Sequence, residues 1–177
     1  MMTNLFQKKS YPFYKFGEML YLKTIPLDAW TAYISDRFER EQKHISEPLI
    51  KKLCESVEFQ SSYVQQLAYN VFLLTEIETS ECILAQGIED LIDQNSGIFI
   101  EQVQSLTTYQ LNFLRAILAG NHNGFGEKVI RETFNLGVPS NIVRLKQSLI
   151  DKELIEITER GIIIGDPVLR FWLKKVL

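Results

Sequence analysis

The chain has 177 residues, of which 46% are hydrophobic and 23% are charged, a balance typical of globular proteins rather than of disordered ones. It has no continuous apolar run of about 18 residues and no secretory signal, so we expect no membrane span and a cytoplasmic location. The net charge of −3 argues against bulk binding of nucleic acid. Residues 1–100 hold nine Lys/Arg and fourteen Asp/Glu, whereas residues 101–177 hold ten and eight, which predicts two units with different surfaces.

The side chains of residues 18–25 would alternate between two faces, and Pro26 follows directly. This pattern predicts a short strand. No second strand candidate lies near it in sequence. Its backbone groups therefore need a partner from elsewhere, and pairing across a twofold axis would make a homodimer.

Four helices are predicted after this strand. Asp28 is expected to cap the first, Ser46 to open the second, Ser61 or Ser62 to start the third, and the fourth is expected to run from about Ser80 to Gln94. The sequence Asn95, Ser96, Gly97 is a turn signal and the preferred linker, although residues 98–105 could continue as helix.

The remaining residues follow a more specific order. Thr107 is expected to cap a helix that stops at a glycine-rich loop, and a short helix and a turn at Gly137 follow. Ser140 is expected to cap a helix to about Lys152, and two apolar strands flank a hairpin turn at residues 158–161 before a last helix opens at Asp166. Helix, helix, turn, helix and hairpin is the order of a winged helix, so we expect a mainly α-helical chain that ends in this domain.

Several short sequence stretches match one protein family in the order in which that family has them. The resemblance extends over nearly all of the chain. The chain resembles the C-terminal part of prokaryotic archaeal-type AAA ATPases, which are related to the STAND class. The matching residues are Met1, Met2, Phe6, Pro12, Phe13, Tyr14, Tyr33, Ile34, Arg37, Phe38, Tyr63, Val64, Gln65, Gln66, Leu67, Leu106, Thr107, Gln110, residues 149–155, Asp166, Pro167, Trp172 and Leu173.

The resemblance implies three parts. Residues 1–26 would be the end of a nucleotide-binding core that includes the orphan strand, residues 27–97 a helical lid, and residues 98–177 the winged helix. The sequence departs from the family in the segments that would bind the nucleotide. It contains no G-x-x-x-x-G-K-[ST] loop to hold phosphates. Where the family has Gly-His-Pro and a tyrosine in the lid, this chain has Phe59, Gln60, Ser61 and Ser62. Lys15 and Phe16 stand where an arginine commonly follows Pro-Phe-Tyr.

The first functional hypothesis is a non-catalytic regulatory or protein-interaction module. Tyr11, Phe13, Tyr14 and Phe16 form an aromatic cluster that would bind a protein partner or a second copy if exposed, or would fold back onto the helical unit.

The second hypothesis is DNA binding by the winged helix. The helix from Ser140 to Asp151 would be the recognition helix, and its core residues would be Ile142, Val143, Leu145, Leu149 and Ile150. Asparagine, glutamine and arginine are residue types that read base edges, and a basic residue in the wing could contact the DNA backbone. The candidate contact residues are Ser140, Asn141, Arg144, Lys146, Gln147 and Arg160.

An enzyme of another class has little support in the sequence. Cys54 and Cys82 are far apart, and His44 and His122 are isolated, so neither a metal site nor a Ser-His-Asp arrangement is expected. We therefore expect no catalytic residues and no cofactor.

Overall fold

The computed structural model describes residues 23–177, which form eight α-helices and one two-stranded sheet. The helices are α1 (Leu27–Arg40), α2 (Glu47–Ser56), α3 (Ser61–Leu74), α4 (Glu81–Gln104), α5 (Thr108–Leu118), α6 (Lys128–Thr133), α7 (Pro139–Asp151) and α8 (Pro167–Val176). The strands are β1 (Ile155–Thr158) and β2 (Gly161–Ile164). None of these helices is both long enough and apolar enough to cross a bilayer. Residues 18–22 of the predicted strand and the whole aromatic cluster lie outside the described residues, and residues 23–25, which are described, are not in a strand.

Helices α1 to α4 form the helical unit. Trp30, Ile34 and Phe38 make the buried stripe of α1, at the helical spacing that the sequence predicted. The predicted cap at Asp28 is wrong, because α1 begins at Leu27 behind Pro26 and Asp28 lies in the first turn. An acidic residue there still favours the helix, since the N-terminus carries partial positive charge.

Helices α3 and α4 lie against each other at a glycine. A Cβ built on Gly87 would lie 2.8 Å from Cγ2 of Val71, so the two helices approach at a distance that a larger residue would prevent. Asn70 and Gln94 exchange two side-chain hydrogen bonds across the same contact, at 3.1 and 3.3 Å. These paired amides satisfy polar groups that burial would otherwise leave without partners.

The turn predicted at Asn95, Ser96 and Gly97 is wrong. Helix α4 runs through all three residues and ends only at Gln104, while its start behind Ser80 agrees with the prediction. The Asn95 side chain donates to the Leu91 carbonyl one turn earlier, at 2.8 Å, and so does not break the helix. The division of the chain at residue 97 stays a prediction.

The C-terminal part is a winged helix built from α5 to α8 and the hairpin. Thr107 caps α5 as predicted, in a reciprocal capping box with Gln110. The strands pair antiparallel, with Ile155 opposite Ile164 and Thr158 opposite Gly161. Apolar residues of this domain and of the helical unit form one continuous buried cluster. The predicted fold class, mainly α-helical with a winged helix, is confirmed.

Candidate functional site

Helix α7 occupies the position of a recognition helix, and its start differs from the prediction. Val138 is the N-cap residue and Pro139 the first helical residue, so the predicted cap at Ser140 is wrong. Proline suits this position because its fixed φ is helical and its missing N–H would have had no partner there.

The exposed side of α7 is only partly polar. Leu145 and Leu149 face the core, whereas Val143 is 73% exposed, so its predicted place in the core is wrong. Val143 lies on the same side of the helix as the exposed residues Ser140, Arg144 and Gln147. The spacing of apolar residues along α7 is compatible with either a buried or an exposed Val143. Only the packing of the neighbouring elements decides between the two.

The six candidate DNA-contact residues have different environments. Ser140, Arg144, Gln147 and Arg160 are exposed, while Asn141 and Lys146 are half-buried. The Asn141 amide donates to the Leu136 carbonyl at 3.4 Å, and the Gln147 amide donates to the Asp151 carboxylate at 2.9 Å. Five of the candidates lie on α7 and one lies at the tip of the wing.

An open cleft of about 500 Å³ separates α7 from the wing. Its lining includes Ile142, Val143 and Lys146 on the helix side and Ile157 and Glu159 on the wing side. Ile157 is 60% exposed although it belongs to a strand of the hairpin. We call the surface formed by Val143, Arg144, Lys146, Ile157, Glu159 and Arg160 the outer face.

The outer face has an apolar centre and a mixed charge. It carries three basic residues and one acidic residue, and Asp151 adds a second acidic group at the end of α7. Within residues 23–177, none of Arg144, Lys146, Arg160 and Glu159 takes part in an ion pair. These charged groups are therefore available to a partner.

The wing is held in place by the loop after α5. The His122 carbonyl accepts from the Ile162 amide at 2.9 Å, and the His122 ring nitrogen Nδ1 lies 2.9 Å from the Ile162 carbonyl oxygen. A Cβ on Gly161 would lie 2.5 Å from the His122 carbonyl oxygen, and Gly161 has a φ of +114°. Only glycine fits this turn, and it fixes one wall of the cleft.

Another side of the winged helix, around Asp166 and α8, contacts the helical unit, and we call it the inner face. The Tyr63 hydroxyl donates to Oδ2 of Asp166 at 2.7 Å, while Oδ1 of the same carboxylate accepts from the Val168 and Leu169 amides at the start of α8. Burial, and after it the neighbouring Asp166 carboxylate, raises the pKa of Tyr63 above its ordinary value of 10.0. Sequence reasoning did not identify this pair, although both residues belong to the matching stretches.

The departures from the lid motif lie beside this contact. Phe59 has a φ of +57° and Gln60 is the N-cap residue of α3, while Ser61 and Ser62 are exposed in its first turn. The Gln60 amide donates to the Gly165 carbonyl at 3.4 Å, and Glu58 forms an ion pair with Arg170. This segment therefore contacts the winged helix directly.

A second hollow lies in the helical unit, between α1 and α3. It has a volume of about 430 Å³, and its lining includes Tyr33, Arg37, Tyr69 and Phe72. The Arg37 guanidinium lies 5.2 Å from the centroid of the Tyr33 ring. Sequence reasoning treated Arg37 only as part of a matching stretch.

The described residues hold no cluster of three or more potential metal ligands. Cys54 is buried and Cys82 is exposed, and both are free thiols. Burial raises the pKa of Cys54 to about 11, with a smaller contribution from Glu55, so this thiol is a poor nucleophile at neutral pH.

Comparisons with known proteins support the winged helix and show a structural similarity over most of the chain. Residues 97–175, fewer than half of the chain, match the model of a family described as "Probable winged helix domain". A search of curated proteins finds no match. A Walker-type ATPase of Pyrococcus abyssi is structurally similar, with a TM-score of 0.67 and 16% sequence identity. The similarity covers 94% of this chain and 47% of the ATPase. At this identity it shows a shared fold: the chain has the architecture of about half of that ATPase, with a winged helix at its C-terminal end.

Proposed function

We propose that this chain is a non-catalytic regulatory module that binds a protein partner through the outer face of its winged helix. The observation that carries the proposal is the apolar centre of that face, where Val143 is 73% and Ile157 is 60% exposed. Exposed apolar side chains gathered on one surface and bordered by polar groups are typical of protein-interaction sites. The proposal assigns no catalytic step to the chain.

The charge of the outer face favours a protein over DNA. Binding to DNA gains much of its free energy by neutralising phosphates, and affinity falls steeply with salt according to the number of phosphates neutralised. Arg144, Lys146 and Arg160 would make at most three such contacts, and Glu159 lies in the same cleft as Lys146. A partner with an apolar centre and both charges at its rim fits this face better.

The structural similarity to the Walker-type ATPase supports a regulatory role for this chain. By this proposal the chain supplies the lid-like and winged-helix parts of an ATPase-like assembly. Residues outside this chain would hold any nucleotide. Radiolabelled ATP with magnesium tests this part. Saturable binding by the purified chain would contradict it.

Site-specific photocrosslinking tests the protein-binding face. A photoreactive amino acid replaces Val143 in one variant and Ile77 in the control, because Ile77 is 74% exposed but lies in the helical unit, between α3 and α4. We expect a protein adduct of discrete mass from position 143 and none from position 77 after irradiation in cells. Equal labelling at both positions, or nucleic-acid adducts alone at position 143, would contradict the proposal.

DNA binding is the second candidate, and the placement of Arg144 favours it. Arg144 is exposed on the outer side of α7 together with Ser140 and Gln147. Titration of a duplex library at two salt concentrations tests it. If α7 reads DNA, Arg144→Ala weakens binding at both salt concentrations and reduces its sequence preference.

A further inference from the structure

We propose that the partner of the outer face is the outer face of a second copy of this chain. This inference rests on the proposed function, and it names the occupant from the arrangement of charge and apolar surface in the cleft. The two walls of the cleft carry opposite charges, with Lys146 on the α7 wall and Glu159 on the wing wall. Each wall also carries an exposed apolar side chain, Val143 on the α7 wall and Ile157 on the wing wall.

A twofold axis makes this arrangement self-complementary. In an interface of this symmetry, if residue i of one copy contacts residue j of the other, then j of the first contacts i of the second. An axis parallel to the cleft, at its open side between the two copies, would place Lys146 of each copy against Glu159 of the other and form two equivalent ion pairs. The same axis brings the apolar side chains of the two copies together at the centre.

The surroundings of the cleft agree with this pairing. Neither Lys146 nor Glu159 takes part in an ion pair within residues 23–177, so no existing ion pair has to break. Arg144 and Arg160, the remaining basic residues of the outer face, do not line the cleft. The hydrogen bonds between His122 and Ile162 hold the wing before association, so ordering the wing on binding costs little free energy.

Sedimentation of the full 177-residue chain over a wide range of concentration tests the proposal. We expect a reversible equilibrium between monomer and dimer. Val143→Glu should raise the dissociation constant at least about 30-fold, the effect of losing a central interface residue. Ile77→Glu is the matched control and should leave the constant unchanged. Circular dichroism verifies that each variant is folded.

Charge reversal tests the pairing itself. Lys146→Glu and Glu159→Lys should each weaken the dimer, because each places like charges together, and the double variant should restore it. A chain that stays monomeric at all concentrations overturns the inference, as does a double variant that is no stronger than the single ones. A dimer that survives Val143→Glu but is lost with Phe13→Ser and Tyr14→Ser overturns it in favour of the N-terminal aromatic cluster.

The outcomes separate this inference from the proposed function. If the chain is monomeric but position 143 crosslinks to a different protein, the second copy is ruled out and the proposed function stands. If the chain is monomeric and position 143 crosslinks to no protein, both fail.

Discussion

The inner and outer faces of the winged helix differ in how their side chains are used. On the inner face, Phe99 of α4 lies 6.0 Å from Trp172 of α8 between ring centroids, and Tyr63 bonds to Asp166. On the outer face, Val143 and Ile157 are exposed and line an open cleft. One face of the domain is therefore committed to intramolecular packing, while the other has apolar surface and charges left for a partner.

Helix α4 explains why the inner face is fixed. Its 24 residues span roughly 36 Å at 1.5 Å per residue, long enough to serve both parts of the fold. Leu84 and Leu91 are buried along its first half, and Phe99 is buried in its second half, near α8. This one helix therefore packs against both the helical unit and the winged helix.

The largest expected effect comes from breaking the inner face at Phe99. Phe99→Ala removes a side chain that is 2% exposed, so we expect the free energy of unfolding to fall by about 3–5 kcal/mol. Urea denaturation followed by circular dichroism measures it. Ile98→Ala is the control, because Ile98 is 60% exposed on the same helix and should change the stability by less than about 0.5 kcal/mol. Equal losses in the two variants would show that Phe99 is not packed as described.

Tyr63→Phe should have the next largest effect. It removes the hydrogen bond to the Asp166 carboxylate, and we expect a loss of about 1–2 kcal/mol at neutral pH. Tyr69→Phe provides the control, since Tyr69 is 61% exposed and also lies on α3.

The same variant has a distinct pH dependence. Because the folded pKa of Tyr63 is raised, the unfolded chain loses this proton first, and the stabilisation by Tyr63 is complete below about pH 10 and lost as pH rises above it. The stability difference between the wild type and Tyr63→Phe should therefore shrink above pH 10. Denaturation curves for both proteins from pH 8 to 11 measure it, and a difference that grows with pH would contradict the assignment.

Thr107→Ala should cost about 1 kcal/mol, because it removes the cap at the start of the winged helix. Thr108→Ala is the matched control, since Thr108 is the next residue and lies inside the helix, where alanine is favourable. Thermal denaturation of the two variants compares them directly. A loss in Thr108→Ala as large as that in Thr107→Ala would contradict the capping role.

The smallest effect on folding is expected on the outer face. Val143→Ser should change the free energy of unfolding by less than about 0.5 kcal/mol, since the side chain is mostly exposed. Leu145→Ala, two residues further along α7 and buried, should cost about 2–5 kcal/mol in the same urea titration. Similar losses at both positions would place Val143 in the core, as its apolar character alone suggested.

Local signals in the sequence were sufficient for most helix starts and for the hairpin. Thr107 caps α5, Asp166 caps α8 with its side chain, and Gly161 closes the hairpin at a positive φ. Each of these residues acts on backbone groups within a few positions of itself, so its effect can be read from neighbouring residues. The order of these elements was enough to predict a winged helix.

Tertiary contacts decided what local signals left open. Asn95, Ser96 and Gly97 have weak helix propensity, yet α4 continues through them because packing at Leu91, Ile92 and Phe99 outweighs that propensity. The exposure of Val143 and the bond between Tyr63 and Asp166 depend on residues that are distant in sequence, and no local pattern encodes them. The sequence by itself thus determined most of the helices, the hairpin and their order, whereas only the packing of those elements decided which face of the winged helix is buried and which remains exposed.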